Sequence, residues 1–115
     1  MTQELLKEYF SYDKHSGIFT RIKTDSKSHL KFVGQPTGVI ASRGYIQIKF
    51  RKKRYYAHRL AWLYETGEWP EEIDHINRVK DDNRFINLES VDRIENHRRY
   101  YDYYREKNRA TTISP

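Results

Sequence analysis

Apolar positions fall into short groups, and their spacing changes along the chain. Leu5, Leu6, Tyr9 and Phe10 recur at i, i+1, i+4 and i+5 behind Thr2 at a cap position, which predicts a short helix over residues 2–10. Residues 13–17 read as a turn. Over residues 18–23, Ile18, Thr20 and Ile22 alternate with Phe19, Arg21 and Lys23, the period of a strand. Residues 24–32 are polar and charged and read as a surface loop. Residues 38–41 and 45–50 flank Ser42-Arg43-Gly44, a short hairpin connection, with Ile46, Ile48 and Phe50 directed to the core. A basic turn over 51–54 leads to a strand over 55–58. Residues 59–66 then read as a helix with Leu60, Leu63 and Tyr64 inward and Gly67 as its stop. Trp69-Pro70 is a rigid link.

The second half is denser in polar chemistry. Residues 72–76 predict a strand, 77–85 a polar loop and 87–91 a second strand. Asp92-Arg93-Ile94-Glu95 has the form of a capping box, so a helix is expected from Asp92 to about Lys107. No internal repeat or low-complexity tract is present. The expected class is α+β, one domain over 1–115. A small antiparallel, β-rich half with two short helices (1–69) precedes a strand–loop–strand–helix unit (70–109) and a frayed tail (110–115).

Composition narrows the chemistry. The chain has 115 residues, no cysteine and 37% hydrophobic residues, so a small core without disulfides or thiolate-bound zinc is expected. No apolar run approaches membrane-spanning length and the polar N-terminus has no signal-like segment, so a soluble, cytoplasmic protein is expected, with no membrane partner. The net charge of +6 is divided: residues 1–60 carry +9, residues 61–97 carry −6, and residues 98–115 carry +3. Basic flanks attract phosphate backbones. An acidic island between them repels DNA unless a bound cation offsets it; the simpler alternative is an acidic helix face turned to water.

The informative constellation is Ile73-Asp74-His75-Ile76-Asn77, then Asp81-Asp82-Asn83-Arg84-Phe85-Ile86-Asn87-Leu88, then Asn96-His97. An imidazole can accept a proton from water near neutral pH. A neighbouring carboxylate can hold a hard divalent cation, and the Asn96 carbonyl could complete its protein ligands. Asn77, Asn83 and Asn87 suit an irregular loop. Adjacent strand residues face opposite ways, so Asp74 and His75 serve one site only if the strand ends or bulges there.

Together with His58-Arg59-Leu60-Ala61-Trp62 and Glu68-Trp69-Pro70, these segments resemble the HNH endonuclease family, in the branch of phage and intron-encoded homing enzymes. The resemblance is strong over residues 45–97 and looser over 5–19. It implies a ββα-metal, or His-Me finger, nuclease motif in the second half, acting on DNA in a bacterial or phage-infected cell. By resemblance, His75 is the general base and Asp74 a metal ligand. Asn96 is the second ligand, with His97 as its rival. Asn87 bridges the loop and orients the histidine. His58 matches a structural position. One Mg²⁺ is implied, with Mn²⁺, Co²⁺ or Ni²⁺ able to substitute. Arg43, Arg51, Lys52, Lys53, Arg54, Arg78, Arg84, Arg93, Arg98 and Arg99 are the expected DNA contacts.

Two departures stand out. Arg78 occupies a position where the family commonly has Gly; if that position needs φ > 0, the cost is on the order of 1 kcal/mol. The chain also ends soon after the helix, where many homing relatives continue into DNA-reading modules. Long-site specificity is then expected from the basic half, from a homodimer, or not at all. The competing readings are an inactive HNH-like nucleic-acid-binding module and a β-rich RNA- or DNA-binding domain with a structural Asp-His pair.

Overall fold

Thr2 begins the fold as the sequence predicts: its hydroxyl accepts a hydrogen bond from the Leu5 N–H at 3.1 Å and caps α1, Gln3–Tyr9. The structure, a computed structural model, describes residues 1–112, with 109–112 described by their backbone alone. The helix does not include Phe10. That residue is extended (φ −136°, ψ 149°) and opens a strand absent from the sequence expectation, β1, Phe10–Asp13. Phe10 completes the helical spacing of Tyr9 and Leu6, but it also starts an alternation with Tyr12, and burial of both rings favours the strand. β1 pairs antiparallel with β2, Ile18–Arg21, which pairs with the short β3, Pro36–Thr37. The Asp13 carboxylate accepts from the His15 and Ser16 N–H groups and shapes the β1–β2 turn. The expected loop over 24–32 contains a 3-10 turn, Lys27–Phe32.

A second sheet is a meander of β4 (Val39–Ile40), β5 (Ile46–Phe50) and β6 (Lys53–Tyr56). The β5–β6 turn is tighter than expected. Arg51 and Lys52 alone form its corner, both with left-handed backbone (φ 50° and 65°). The predicted strand over 55–58 is correspondingly shifted, and His58 lies on α2, Ala57–Thr66. Ala57, Leu60 and Ala61 share the i, i+3, i+4 face that packs into the core, and this burial starts the helix early. Gly67 ends it at φ 78°, its N–H bonded to the Leu63 carbonyl.

The third sheet is β7, Glu72–His75, antiparallel to β8, Leu88–Val91. The Asp92 carboxylate accepts from the Glu95 N–H at 2.7 Å and caps α3, Arg93–Thr112. The expected tail falls partly on residues 113–115, outside the described residues. The architecture is therefore α+β, with antiparallel sheets throughout and a ββα unit at the C-terminal side. One core joins the halves. The rings of Tyr9, Phe10, Tyr12, Phe19 and Phe50 cluster with Leu6, Ile48, Leu60 and Leu63, and β7 and β8 contribute Ile73 and Leu88. Full burial of such an aliphatic or aromatic side chain is worth roughly 1.5–3 kcal/mol, so this shared core fixes the ββα unit against the N-terminal half.

Candidate active site

Strand alternation in β7 sorts its side chains. Ile73 and His75 face α2 and the core, while Glu72 and Asp74 face α3. The strand ends at His75, and a cavity of about 730 Å³ is lined there by both Asp74 and His75, together with Tyr45, Arg78, Asn96 and His97. The two adjacent residues thus point apart yet border one space.

His75 is 5% exposed. Its ring meets His58 edge-on, with centroids 4.9 Å apart, and lies 5.8 Å from the ring of Tyr45. Its Nε2 is 2.8 Å from Oδ1 of Asn83. An amide oxygen only accepts, so Nε2 carries the hydrogen and Nδ1 keeps its lone pair. Burial pushes the His75 pKa below its ordinary value, opposed by the Asn83 bond and the Asp74 charge. The imidazole is therefore neutral near pH 7, the form able to take a proton. His58 is pushed further, to about 3, by burial and then by His75, and its Nδ1 is buried without a hydrogen-bond partner.

Asn83 is itself 1% exposed and is held from the first sheet. The Tyr12 hydroxyl donates to its carbonyl, and the Phe85 N–H donates to the Lys14 carbonyl at 3.0 Å. Gly17 (φ 76°) approaches so closely that a Cβ there would lie 2.3 Å from the Asn83 carbonyl carbon. The β1–β2 turn thus abuts the backbone that carries Asn83. Asn87 has a different place. Its Oδ1 accepts from the Asn77 N–H, and its Nδ2 donates to Asn77 Oδ1 and the Asp82 carbonyl, each at 2.9 Å. It bridges the loop over 77–82, whereas the hydrogen bond that fixes the His75 ring comes from Asn83. Asn87 thus contacts the loop, and the side chain that points at the His75 ring is that of Asn83. Asp82 finishes the loop, and Arg84 holds its carboxyl well below the usual carboxylate range through paired 2.8 Å bonds.

Asp74 and Asn96 line the same cavity and offer hard oxygen donors, a carboxylate and an amide carbonyl. Both are already engaged. Asn96 donates its amide nitrogen to Glu72, which leaves the carbonyl oxygen as its donor to a cation. Asp74 Oδ1 accepts from Arg78 at 3.1 Å, and its Oδ2 accepts from Arg99 at 3.2 Å. His97 also borders the cavity and packs its ring on Tyr101. Among the described residues no group of three or more His, Cys, Asp or Glu side chains is placed to hold a metal. A site of one carboxylate and one amide fits a cation that keeps water and phosphate as its other ligands.

Residues 55–98 match the family described as HNH endonuclease. The match is confined to this stretch. It takes in His58, the β7–β8 hairpin and the first turns of α3. The whole fold is similar to a solved structure described as DNA binding and cleavage by the HNH homing endonuclease I-HmuI, at 22% identity and a TM-score of 0.55. The likeness covers 95% of this chain and 59% of that one, so the chain spans about three fifths of that protein's length. No curated protein matches the chain.

Around the matched stretch the expected DNA contacts divide into two kinds. Arg84, Arg98 and Arg99 are engaged in ion pairs with Asp82, with Glu95 and Asp102, and with Glu89, Glu95 and Asp74 respectively. Arg51 bonds Asp25 and the Tyr9 hydroxyl. Arg43, Lys52, Lys53, Arg54 and Arg93 have exposed side chains. Arg78 has φ 66°, so the position where the family commonly has Gly does require left-handed backbone.

Two contributors escaped the sequence reading. Asn83 was legible only as a loop former. Glu72 could have been found from its i, i+2 relation to Asp74, which places both on the α3 face.

Proposed function

We propose that this chain is a metal-dependent endonuclease that hydrolyses phosphodiester bonds of DNA. The observation that carries the proposal is His75 in the stretch that matches the HNH endonuclease family, buried, neutral, bordering the cavity, and tied through Nε2 to Asn83 so that Nδ1 is the basic atom. In this reading a water at the cavity gives its proton to His75 Nδ1 as its oxygen bonds to phosphorus, and the bond to the 3′ oxygen breaks. Asp74 and the Asn96 carbonyl would hold one divalent cation, Mg²⁺ by preference, which supplies charge stabilisation for the phosphoryl oxygen and the departing oxygen. Asn83 keeps the histidine in one tautomer, and Asn87 keeps the loop closed beneath it. Lys52, Lys53 and Arg54 are suited to phosphates of the flanking duplex. Described as a homing enzyme, the solved relative lends support to DNA as the substrate. No helix among the described residues is long and apolar enough to cross a membrane.

A silent DNA-binding module has one observation on its side, the two arginines on Asp74. Supercoiled plasmid separates the readings. A nuclease gives nicked or linear product with Mg²⁺, loses activity in EDTA and loses it in Asp74→Asn. Retained DNA binding with no product at any divalent cation supports the silent module.

A further inference from the structure

Arg78 and Arg99 share Asp74 but are held very differently. Arg99 bonds Glu89 at 2.7 and 3.2 Å and Glu95 at 2.9 Å as well as Asp74, so two other carboxylates fix it. Arg78 has Asp74 as its one carboxylate partner among the described residues. Its remaining support is the Arg99 carbonyl at 3.2 Å and the face of the Tyr103 ring at 5.0 Å. Its side chain is 28% exposed, against 8% for Asp74, and it borders the cavity. Its backbone at φ 66° is one that an L side chain adopts at a cost, so the arginine stands there against local preference.

A guanidinium on a carboxylate oxygen weakens the hold of that oxygen on a divalent cation, because like charges at that range repel. Guanidinium is also well matched to phosphate, in one- or two-point contact. We infer that Arg78 is a placeholder for the cation: it neutralises Asp74 in the free protein, and a DNA phosphate entering the cavity draws it off, so that Asp74 becomes available to a divalent ion only when DNA is present. The inference rests on the proposed reading of Asp74 as a cation ligand. Arg78 is thus a positioning residue that couples cation binding to substrate binding. An empty site without DNA also keeps an activated water from forming away from a phosphate.

The test measures Mn²⁺ affinity by electron paramagnetic resonance, with and without sheared duplex DNA, in a His75→Ala background that prevents turnover. Arg78→Gly and Arg78→Asn are compared with the parent; both residues accept φ > 0 and lack the charge. Without DNA, both variants should bind Mn²⁺ about tenfold more tightly, the scale of one charge-assisted hydrogen bond. With DNA the gap should fall below about threefold, because the phosphate then releases the parent's arginine. Asp74→Asn should lose most of the binding in every case. If Asp74→Asn loses binding while both Arg78 variants bind as the parent does, the placeholder is wrong and the cation site stands. Tighter binding in Arg78→Gly alone would assign the effect to backbone freedom and overturn the placeholder. Unchanged binding in Asp74→Asn would overturn the cation site itself, and the placeholder with it.

Discussion

Asn83 places its side-chain oxygen 2.8 Å from Nε2 of His75, both residues being buried, and so leaves Nδ1 as the imidazole nitrogen with the free lone pair. Asn83→Ala removes the acceptor and leaves a buried N–H unpaired. It should cost about 1–3 kcal/mol of stability and lower the single-turnover cleavage rate by roughly 10–100-fold, with DNA affinity unchanged. Quenched-flow cleavage and a fluorescence binding titration on the same variant check both halves. A rate equal to the parent's would remove Asn83 from the account.

The same histidine should respond to a residue far from it. Gly17 cannot accept a Cβ without pushing on the backbone of Asn83 and Arg84, and its φ of 76° opposes any L side chain. Gly17→Ala is expected to cost on the order of 1–3 kcal/mol and to slow cleavage through displacement of Asn83. Thermal unfolding together with rates taken well below the melting temperature separates the two effects. Destabilisation with a wild-type rate would show that the turn supports the fold alone.

Much of this architecture could be read from local signals, because its start and stop points are local. Thr2, Gly67 and Asp92 cap or end helices through bonds within four residues of themselves. β1 was hidden because Phe10 satisfies a helical and a strand pattern at once. His58 reads as strand because Tyr55 and Tyr56 before it have strand character. In the site, the adjacency of Asp74 and His75 was visible in the sequence. The partner of His75 was not, since Asn83 reaches the ring through packing against Tyr12 and Gly17 from the other end of the chain. The ion pairs of Arg99 are not legible for a similar reason: those with Asp74 and Glu89 exist only once α3 lies along the β7–β8 hairpin.

Burial of two histidines makes stability pH-dependent. His58 and His75 both titrate below the ordinary value of 6.5, His58 at about 3. Below pH 6.5 the unfolded chain binds protons that the folded chain refuses. Stability is therefore flat in these groups above pH 6.5 and falls as pH is lowered, by up to about 1.4 kcal/mol per pH unit for His58, with His75 adding in the same direction. Urea denaturation between pH 6.5 and 5, where carboxylates contribute little, measures the slope. His58→Phe should remove the His58 share of it. An unchanged slope would mean that His58 is accessible to protons in the folded protein.

The β5–β6 corner trades local conformation for charge. Lys52 holds φ 65°, where glycine is at ease. Lys52→Gly should gain up to about 1 kcal/mol of stability by relieving that backbone. It should also lower the salt slope of DNA binding by about 0.9, the loss of one phosphate contact. Affinity measured across a series of salt concentrations checks the second effect, and a slope equal to the parent's would place DNA on another face.

Chemical rescue tests whether His75 is the base. His75→Ala should bind DNA as the parent does and cleave plasmid in Mg²⁺ about 10²–10⁴-fold more slowly. Added imidazole should restore part of the rate, with a pH dependence that follows the pKa of the imidazole supplied. Cleavage by His75→Ala at the parent's rate, without imidazole, would show that His75 is not the base.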